Sequence, residues 1–367
     1  MAGSYLGHEV LRLEDDGMLR GTTRYLDDRN PQGLLHVHFV RSLVAHAEIT
    51  DIDVDGARDH PGVVEVVTAA DLGLNPLRGF FLVPEVFNRP PLASDVVRFV
   101  GEPVVAVVAE TREAAVDAAE AVIVDYRDLP VVTEPRAALS DDAPVLFPGA
   151  SSNLVLEYRT DADPERLSGH DVVVRGEFVN QRVAGGPMEP SVALAEPDGD
   201  GVVVWCTTQG PFGVQGAVAS VLGIDSGAVR VRTEAVGGGF GPKAVPYPEF
   251  AVVAALALRT GRPVRWTETR TENLVNMAHG RDQHQTYEMG FTTDGRICWL
   301  RGQVLANAGA YPVIGGFLPS LTMLMASGPY RIPVVDFTAR SAATNTTPTA
   351  AFRGAGRPEA TAALERL

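Results

Sequence analysis

Cysteine is almost absent from this chain: Cys206 and Cys298 are its only two in 367 residues, and they stand far apart. Two distant thiols cannot by themselves hold an iron–sulfur cluster or a structural zinc, so both are expected as buried thiols in strands. Basic charge is also scarce, with 31 Lys and Arg against 46 Asp and Glu and a net charge of −15. That balance argues against a nucleic-acid surface and leaves small-molecule chemistry open. No apolar run is long enough to cross a bilayer, and the start, Met1 to Glu9, has no basic segment followed by an apolar stretch. A cytoplasmic setting without a membrane span is therefore expected. The Gly-x-x-x-x-Gly-Lys-[Ser/Thr] loop and the Gly-x-Gly-x-x-Gly fingerprint are missing, which removes the ordinary nucleotide-binding explanations. No repeat of fixed period and no low-complexity segment is present. With 45% hydrophobic and 21% charged residues, the chain can bury substantial cores and should hold about two domains.

What is present centres on Val236-Gly-Gly-Gly-Phe-Gly-Pro-Lys243, a turn almost without side chains. Before it, Val229-Arg-Val-Arg-Thr-Glu-Ala235 alternates with a strand period. After it, Pro248 to Thr260 is helix-forming and apolar nearly all round, with Gly261 as a stop. Strand, glycine turn and buried helix can make an anion cradle, with free N–H groups and the positive end of the helix dipole directed into the turn. A tight connection without any ligand accounts for the same residues equally well.

Residues 1 to about 30 read as irregular, with Asp15-Asp-Gly17 and Asp27-Asp28 as turn chemistry. Leu34 to Val40 alternates as a strand, placing His36 and His38 on one face. A metal pair there lacks a third ligand nearby, so hydrogen bonding is the simpler role, as it is for His46 and His60 in polar surroundings. Glu102 to Glu110, the cap Thr111, the alanine-rich Arg112 to Val122 and Val122 to Tyr126 predict a strand, helix, strand module. Residues 129 to 153, rich in Pro, Asp, Ala and Ser, suggest a linker. Further strands are expected at 172–179, 202–208, 229–234 and 264–268. A hairpin turning at Thr293-Asp-Gly295 joins 285–291 to 297–306, helices fall at 212–222 and 248–260, and long loops gather between Ala308 and Arg357. The fold class is α+β.

With the glycine turn placed, three more stretches fall into a known order. They are Trp205-Cys-Thr-Thr-Gln209-Gly-Pro, Ala306-Asn-Ala-Gly-Ala310 and Thr344 to Pro358, which contains Ala-Phe352-Arg353-Gly354. Together they resemble the large, molybdopterin-binding subunit of the xanthine dehydrogenase, aldehyde oxidase and carbon monoxide dehydrogenase family. Leu35 to Ala47, Pro61 to Thr68 and Val100-Gly-Glu-Pro-Val104 look like that family's α/β hammerhead domain. The resemblance covers the whole chain and implies a hammerhead domain over residues 1–135, a linker over 136–153 and the first cofactor-binding α+β domain over 154–367.

It also implies a molybdenum hydroxylase, whose metal is held by a pterin dithiolene with no side chain bonded to it and whose oxygen comes from water. The expected cofactor is the molybdenum-pterin in its cytosine dinucleotide form. Iron–sulfur (2Fe-2S) and flavin (FAD) groups would sit on partner subunits, in a dimer of heterotrimers. Carried over by position, Gln209 would donate its amide N–H to the molybdenum oxo group. Gly238, Gly239, Phe240 and Gly241 would bring backbone to the cofactor, Phe240 closing the pocket with its ring. Arg353, with Gly354, would place a guanidinium beside the anionic centre. Each has a plainer reading: a strand-end glutamine, a core phenylalanine, a surface ion pair.

Departures narrow the resemblance. The purine-binding carboxylate of xanthine-oxidising members falls at Ala244, their purine-stacking aromatic at Ala355 and their substrate arginine near Leu321, which speaks against purine oxidation. The loop Ala351 to Arg357 has no cysteine for the copper of carbon monoxide dehydrogenases. What remains is similar to a cysteine-free, carbon-monoxide-dehydrogenase-like branch, with aldehydes or N-heterocycles as expected substrates. A carbon monoxide oxidiser without the copper ligand and a non-catalytic binding or assembly module of the same fold are the alternatives. The Gly-x-Gly-Glu of the general-base glutamate does not occur; Gly101-Glu102 and Gly176-Glu177 lack the earlier glycine and are expected in strands. The chain closes in what reads as the middle of a helix, Thr361 to Leu367. Half of an active site is thus expected here, inactive alone, with the other half of the large subunit as a partner.

Overall fold

The computed structural model describes residues 6–79, 82–161 and 163–367; Met1 to Tyr5, part of the expected irregular start, lie outside them. The first half runs α1 (Asp15–Arg20), β1 (Leu35–Arg41), β2 (Ala47–Asp53), α2 (Asp55–Arg58), β3 (Val63–Val67), α3 (Ala69–Leu72), β4 (Val96–Val97), β5 (Pro103–Ala109), α4 (Arg112–Ala119), β6 (Ile123–Asp128) and α5 (Pro135–Ala138). Asp15-Asp-Gly17 forms the first turn of α1 rather than an open turn, because acidic residues favour a helix N-terminus and Gly21 closes it in the left-handed region. Thr111 caps α4 by accepting from the Ala114 amide at 3.1 Å.

The remainder contains β7 (Leu154–Arg159), β8 (Val172–Asn180), β9 (Val192–Asp198), β10 (Gly201–Cys206), α6 (Pro211–Leu222), β11 (Val229–Arg232), α7 (Pro248–Thr260), β12 (Val264–Thr267), α8 (Arg270–Asn276), β13 (Gln283–Phe291), β14 (Ile297–Gly309), α9 (Leu318–Leu324), β15 (Val335–Ala343) and α10 (Arg357–Leu364). The span from Ala308 to Arg357, expected as loops, holds α9 and β15. Strand β15 lies parallel to β14 and antiparallel to β7, a pairing that its mixed composition does not advertise. Helix α10 ends at Leu364, so Glu365 to Leu367 follow the helix instead of continuing it.

Three sheets organise the molecule. A seven-stranded sheet runs β11-β10-β9-β12-β1-β5-β3, a five-stranded one β7-β15-β14-β13-β8, and a three-stranded one β4-β2-β6. The strand, helix, strand reading of 102–126 is correct for the elements and wrong for their partnership, since β5 and β6 lie in different sheets. Burial explains the split: every residue of β5 is buried, while β6 is half-exposed with Asp125, Arg127 and Asp128 outward. The largest sheet takes β1, β3 and β5 from the first part of the chain and β9 to β12 from the second. Helix α7 covers β9, β10 and β12, burying Phe250 to Ala254, Leu256 and Ala257 in one core shared with Leu35, Val37 and Phe39.

Residues 136–153 are packed: Leu146 and Phe147 join a core with Phe99 and Tyr311, and Asn153 accepts from the Leu146 amide at 2.9 Å. Other local expectations are met in part. Cys206 is buried in β10, where burial pushes its thiol up to about 12, but Cys298 in β14 is only half-buried. His46 is buried, its Nδ1 2.6 Å from the Pro130 carbonyl. Glu102 sits in the turn before β5, not in a strand, and is fully buried with one carboxylate oxygen accepting from the Tyr311 hydroxyl. His36 and His38 share one face of β1, and burial lowers both of their pKa values. Among the described residues no group of three or more His, Cys, Asp or Glu is arranged to hold a metal, and no helix is long and apolar enough to cross a membrane.

Candidate functional site

The glycine turn leaves β11, whose regular strand stops at Arg232, and runs into one turn of 3-10 helix, Pro242–Ala244. Helix α7 begins only at Pro248, so the expected dipole of a helix opening directly from the turn is displaced from it. Close approach, not a helix end, is what requires the glycines. A Cβ at Gly237 would lie 2.5 Å from Glu189 Cβ, and one at Gly239 would lie 2.5 Å from Gln209 Oε1. At Gly241, φ is +110° and a Cβ would meet the Ala351 carbonyl oxygen at 2.1 Å. Phe240 itself takes φ 56°, a left-handed conformation uncommon for a non-glycine residue.

Gln209 follows β10 and is exposed. Its backbone amide donates to the Lys243 carbonyl at 2.9 Å, and its Oε1 accepts the Gly241 N–H at 2.8 Å. Because that N–H needs an oxygen, the amide nitrogen Nε2 must be the end that faces away. Thr208 Oγ1 adds a bond to the same Lys243 carbonyl at 3.1 Å. The Arg353 amide donates to the Phe240 carbonyl at 2.8 Å, and the Arg353 guanidinium stands 5.3 Å from the Phe240 ring centroid. Gly354, at φ +103°, has room for no Cβ beside Pro358. Gln209, Gly238, Gly239, Phe240, Gly241, Arg353 and Gly354 thus come together from three remote segments.

The cluster is an open face: Gln209 and Arg353 are exposed and Phe240 is half-buried. Among the described residues, the amides of Gly238, Gly239 and Phe240 donate to nothing. Ala244 is exposed at the end of the turn, and a Cβ on Gly356, next to Ala355, would strike Leu321.

Beneath the turn lies a buried ion pair that the sequence did not reveal. Lys243 Nζ donates to the Glu189 carbonyl at 2.8 Å and faces Glu189 Oε2 at 3.3 Å, with the Lys243 side chain wholly buried. The same Oε2 accepts the Gly237 N–H at 2.6 Å. Burial lowers the Lys243 pKa, against the raising effect of Glu189. The ammonium is therefore committed to holding the turn from below rather than to a ligand above it. Nothing in the residues beside Lys243 points to Glu189, so only the packing reveals this role. Deeper still, burial pushes Glu268 up to about 7, while its Oε2 accepts from the Ser191 amide at 2.8 Å and Asn273 Nδ2 at 2.7 Å.

Comparison with known proteins identifies the family of the chain. The family model of the molybdopterin cofactor-binding domain matches residues 146–367, and that of the aldehyde oxidase and xanthine dehydrogenase a/b hammerhead domain matches residues 20–130. The chain is 35% identical to the 6-hydroxypseudooxynicotine dehydrogenase complex subunit gamma of Paenarthrobacter nicotinovorans, over 99% of this chain and 47% of that protein. Quinoline 2-oxidoreductase from Pseudomonas putida 86 superposes with a TM-score of 0.91 at 34% identity, covering 99% of this chain and 49% of the other. The nicotinate dehydrogenase large molybdopterin subunit of Eubacterium barkeri is 28% identical over 98% of this chain and 84% of its own length. The chain spans about half the length of the first two. It belongs to the family of molybdopterin-binding large subunits that includes the aldehyde oxidases, xanthine dehydrogenases and carbon monoxide dehydrogenases.

Proposed function

We propose that this chain forms one wall of the active site of a molybdenum hydroxylase acting on an aldehyde or an N-heterocycle. The observation that carries the reading is the bonded cluster of Gln209, the Gly238–Gly241 turn and Arg353, which holds an exposed guanidinium beside backbone N–H groups with no partner among the described residues. A guanidinium, an outward amide N–H and unengaged backbone N–H groups fit an anionic cofactor, and the neighbouring Glu189 and Glu359 carboxylates are engaged by Gly237 and Lys243 and by Gly356 and Arg281. The molybdenum-pterin, when bound, would supply oxidation of a substrate carbon with oxygen from water. Gln209 Nε2 would donate a hydrogen bond to the bound cofactor, Phe240 would exclude water with its ring, and Arg353 would balance negative charge.

Two similar proteins, by their names, act on quinoline and on 6-hydroxypseudooxynicotine, which favours N-heterocyclic or related substrates here. The small side chains at Ala244 and Ala355 and the apolar Leu321 suit such substrates better than a purine held by charge. The cytosine dinucleotide form, the 2Fe-2S and FAD partner subunits, a second cofactor-binding half, assembly as a dimer of heterotrimers and a cytoplasmic location complete the proposal. So do the sequence boundaries at 135 and 154, across which the seven-stranded sheet runs. The test is elemental analysis and turnover of the assembled complex, with quinoline, a pyridine, benzaldehyde and carbon monoxide as separate substrates. Stoichiometric molybdenum with heterocycle turnover supports the reading; a correctly assembled complex without molybdenum ends it.

A further inference from the structure

Arg281 occupies a position that sequence reasoning passed over. It and its neighbour Asp282 adopt φ of 67° and 64°, two successive non-glycine residues in the left-handed region, which L residues populate sparsely. The conformation is held from both sides. Arg182 Nε bonds Asp282 Oδ2 at 2.7 Å, the Asn307 amide donates to the Asp282 carbonyl at 2.9 Å, and Gly280 packs so tightly on Phe352 that a Cβ would lie 2.3 Å from that residue's own.

The result is to aim a nearly buried guanidinium at one short loop. Arg281 Nη1 donates to the Phe352 carbonyl at 3.1 Å and to Glu359 Oε1 at 2.8 Å, while Nη2 donates to the Arg353 carbonyl at 2.9 Å. Its Cζ stands 5.1 Å from the Phe352 ring centroid. Glu359 Oε2 accepts the Gly356 N–H at 2.7 Å, so the same carboxylate ties down the far end of the loop where α10 starts. The near end is tied to the glycine turn by the bond from the Arg353 amide to the Phe240 carbonyl.

We propose that Arg281 is the positioning residue of the site: its planar fork clamps both ends of the Phe352–Gly356 loop and thereby sets where the Arg353 guanidinium and the Phe240 ring stand. The proposal rests on the cofactor reading above for its consequence in catalysis, but the clamp is a property of this chain alone. Lysine cannot replace it, because one ammonium does not match acceptors spread across a planar fork.

The test uses two variants, since truncation alone would leave Glu359 buried without its partner. Arg281→Lys keeps the charge, and the double variant Arg281→Met with Glu359→Gln removes both charges while the introduced amide oxygen still accepts from the Gly356 N–H. Amide exchange in the full chain should accelerate about ten-fold or more at Arg353, Ala355 and Gly356 in both variants, with the β13 strand unchanged. In the assembled enzyme, molybdenum content should be retained while the Mo(V) paramagnetic resonance line shape changes and kcat falls more than KM rises. Exchange within two-fold of wild type at the loop, or an equal acceleration throughout the molecule, overturns the clamp. An unaltered Mo(V) line shape in a loaded assembly with a loosened loop overturns its role in positioning. A wild-type assembly lacking molybdenum instead defeats the cofactor reading and leaves the clamp to be judged by exchange.

Discussion

Gly241 gives its amide proton to Gln209 Oε1 across 2.8 Å, and that bond decides which end of the glutamine side chain is left for a ligand. Gln209→Glu keeps an oxygen for Gly241 but has no outward N–H. We expect a folded protein with a melting temperature near wild type, and in the assembled enzyme a kcat lower by about 10²–10³-fold, the usual cost of one lost oxyanion donor. Steady-state kinetics beside thermal unfolding checks both halves; unchanged kcat would remove Gln209 from the site.

The glycines of the chain are unequal, and substitution by alanine should separate them. Gly241 combines φ +110° with a projected Cβ only 2.1 Å from the Ala351 carbonyl oxygen, so Gly241→Ala should destabilise by ~2 kcal/mol or more. Gly216, within α6, has nothing within 4 Å of its projected Cβ, and Gly216→Ala should stabilise by ~0.5–1 kcal/mol. Urea unfolding curves compare the two; a tolerated alanine at 241 would show that the turn is not held against residue 351.

Glu268 should make stability depend on pH. Its folded pKa, pushed up to about 7 by burial, exceeds the ordinary value of 4.5, so folding favours the protonated carboxyl. Its contribution is fully present below pH 4.5 and is lost as pH rises toward and through 7, a total on the order of 3 kcal/mol. Glu268→Gln should be worth more, relative to wild type, at pH 8 than at pH 5. Unfolding free energies at the two pH values test this; parallel pH profiles would mean that Glu268 ionises normally in the folded chain.

Apolar exposure near the site should govern how the isolated chain behaves. Met188, next to the Glu189 that holds Gly237, is 93% exposed, and Phe212 at the start of α6 is 86% exposed. The chain made alone should therefore self-associate, and the pair Met188→Ser with Phe212→Ser should reduce it. Light scattering against concentration decides the matter, and a monodisperse wild-type chain would count against an uncovered face.

Much of the framework was readable because it is local. Helix α7 between Pro248 and Gly261, the hairpin turning at Asp294-Gly295, and the glycine turn itself each carry their periodicity and punctuation within a dozen or so residues. Gln209, Phe240 and Arg353 could be picked out by the residues beside them and their order along the chain. Sequence reasoning failed where a role depends on what lies across a sheet or under a loop. Strands β9 and β15 went unnoticed because they acquire their ladders from remote partners, and Asp15-Asp-Gly17 read as a turn because its helix is too short to show a period.

The order of residues was enough to settle which backbone segments can turn tightly, which faces are apolar and which side chains can donate to an anion, since these follow from the chemistry of near neighbours. Folding alone decided that Lys243 spends its charge on Glu189, that Gln209 shows its nitrogen outward, and that Arg281 reaches the carbonyls of Phe352 and Arg353. Those outcomes depend on hydrogen bonds between groups far apart along the chain. Their partners, Glu189, Gly241 and the Phe352–Arg353 backbone, lie in other segments of the second part of the chain and meet only in the folded structure.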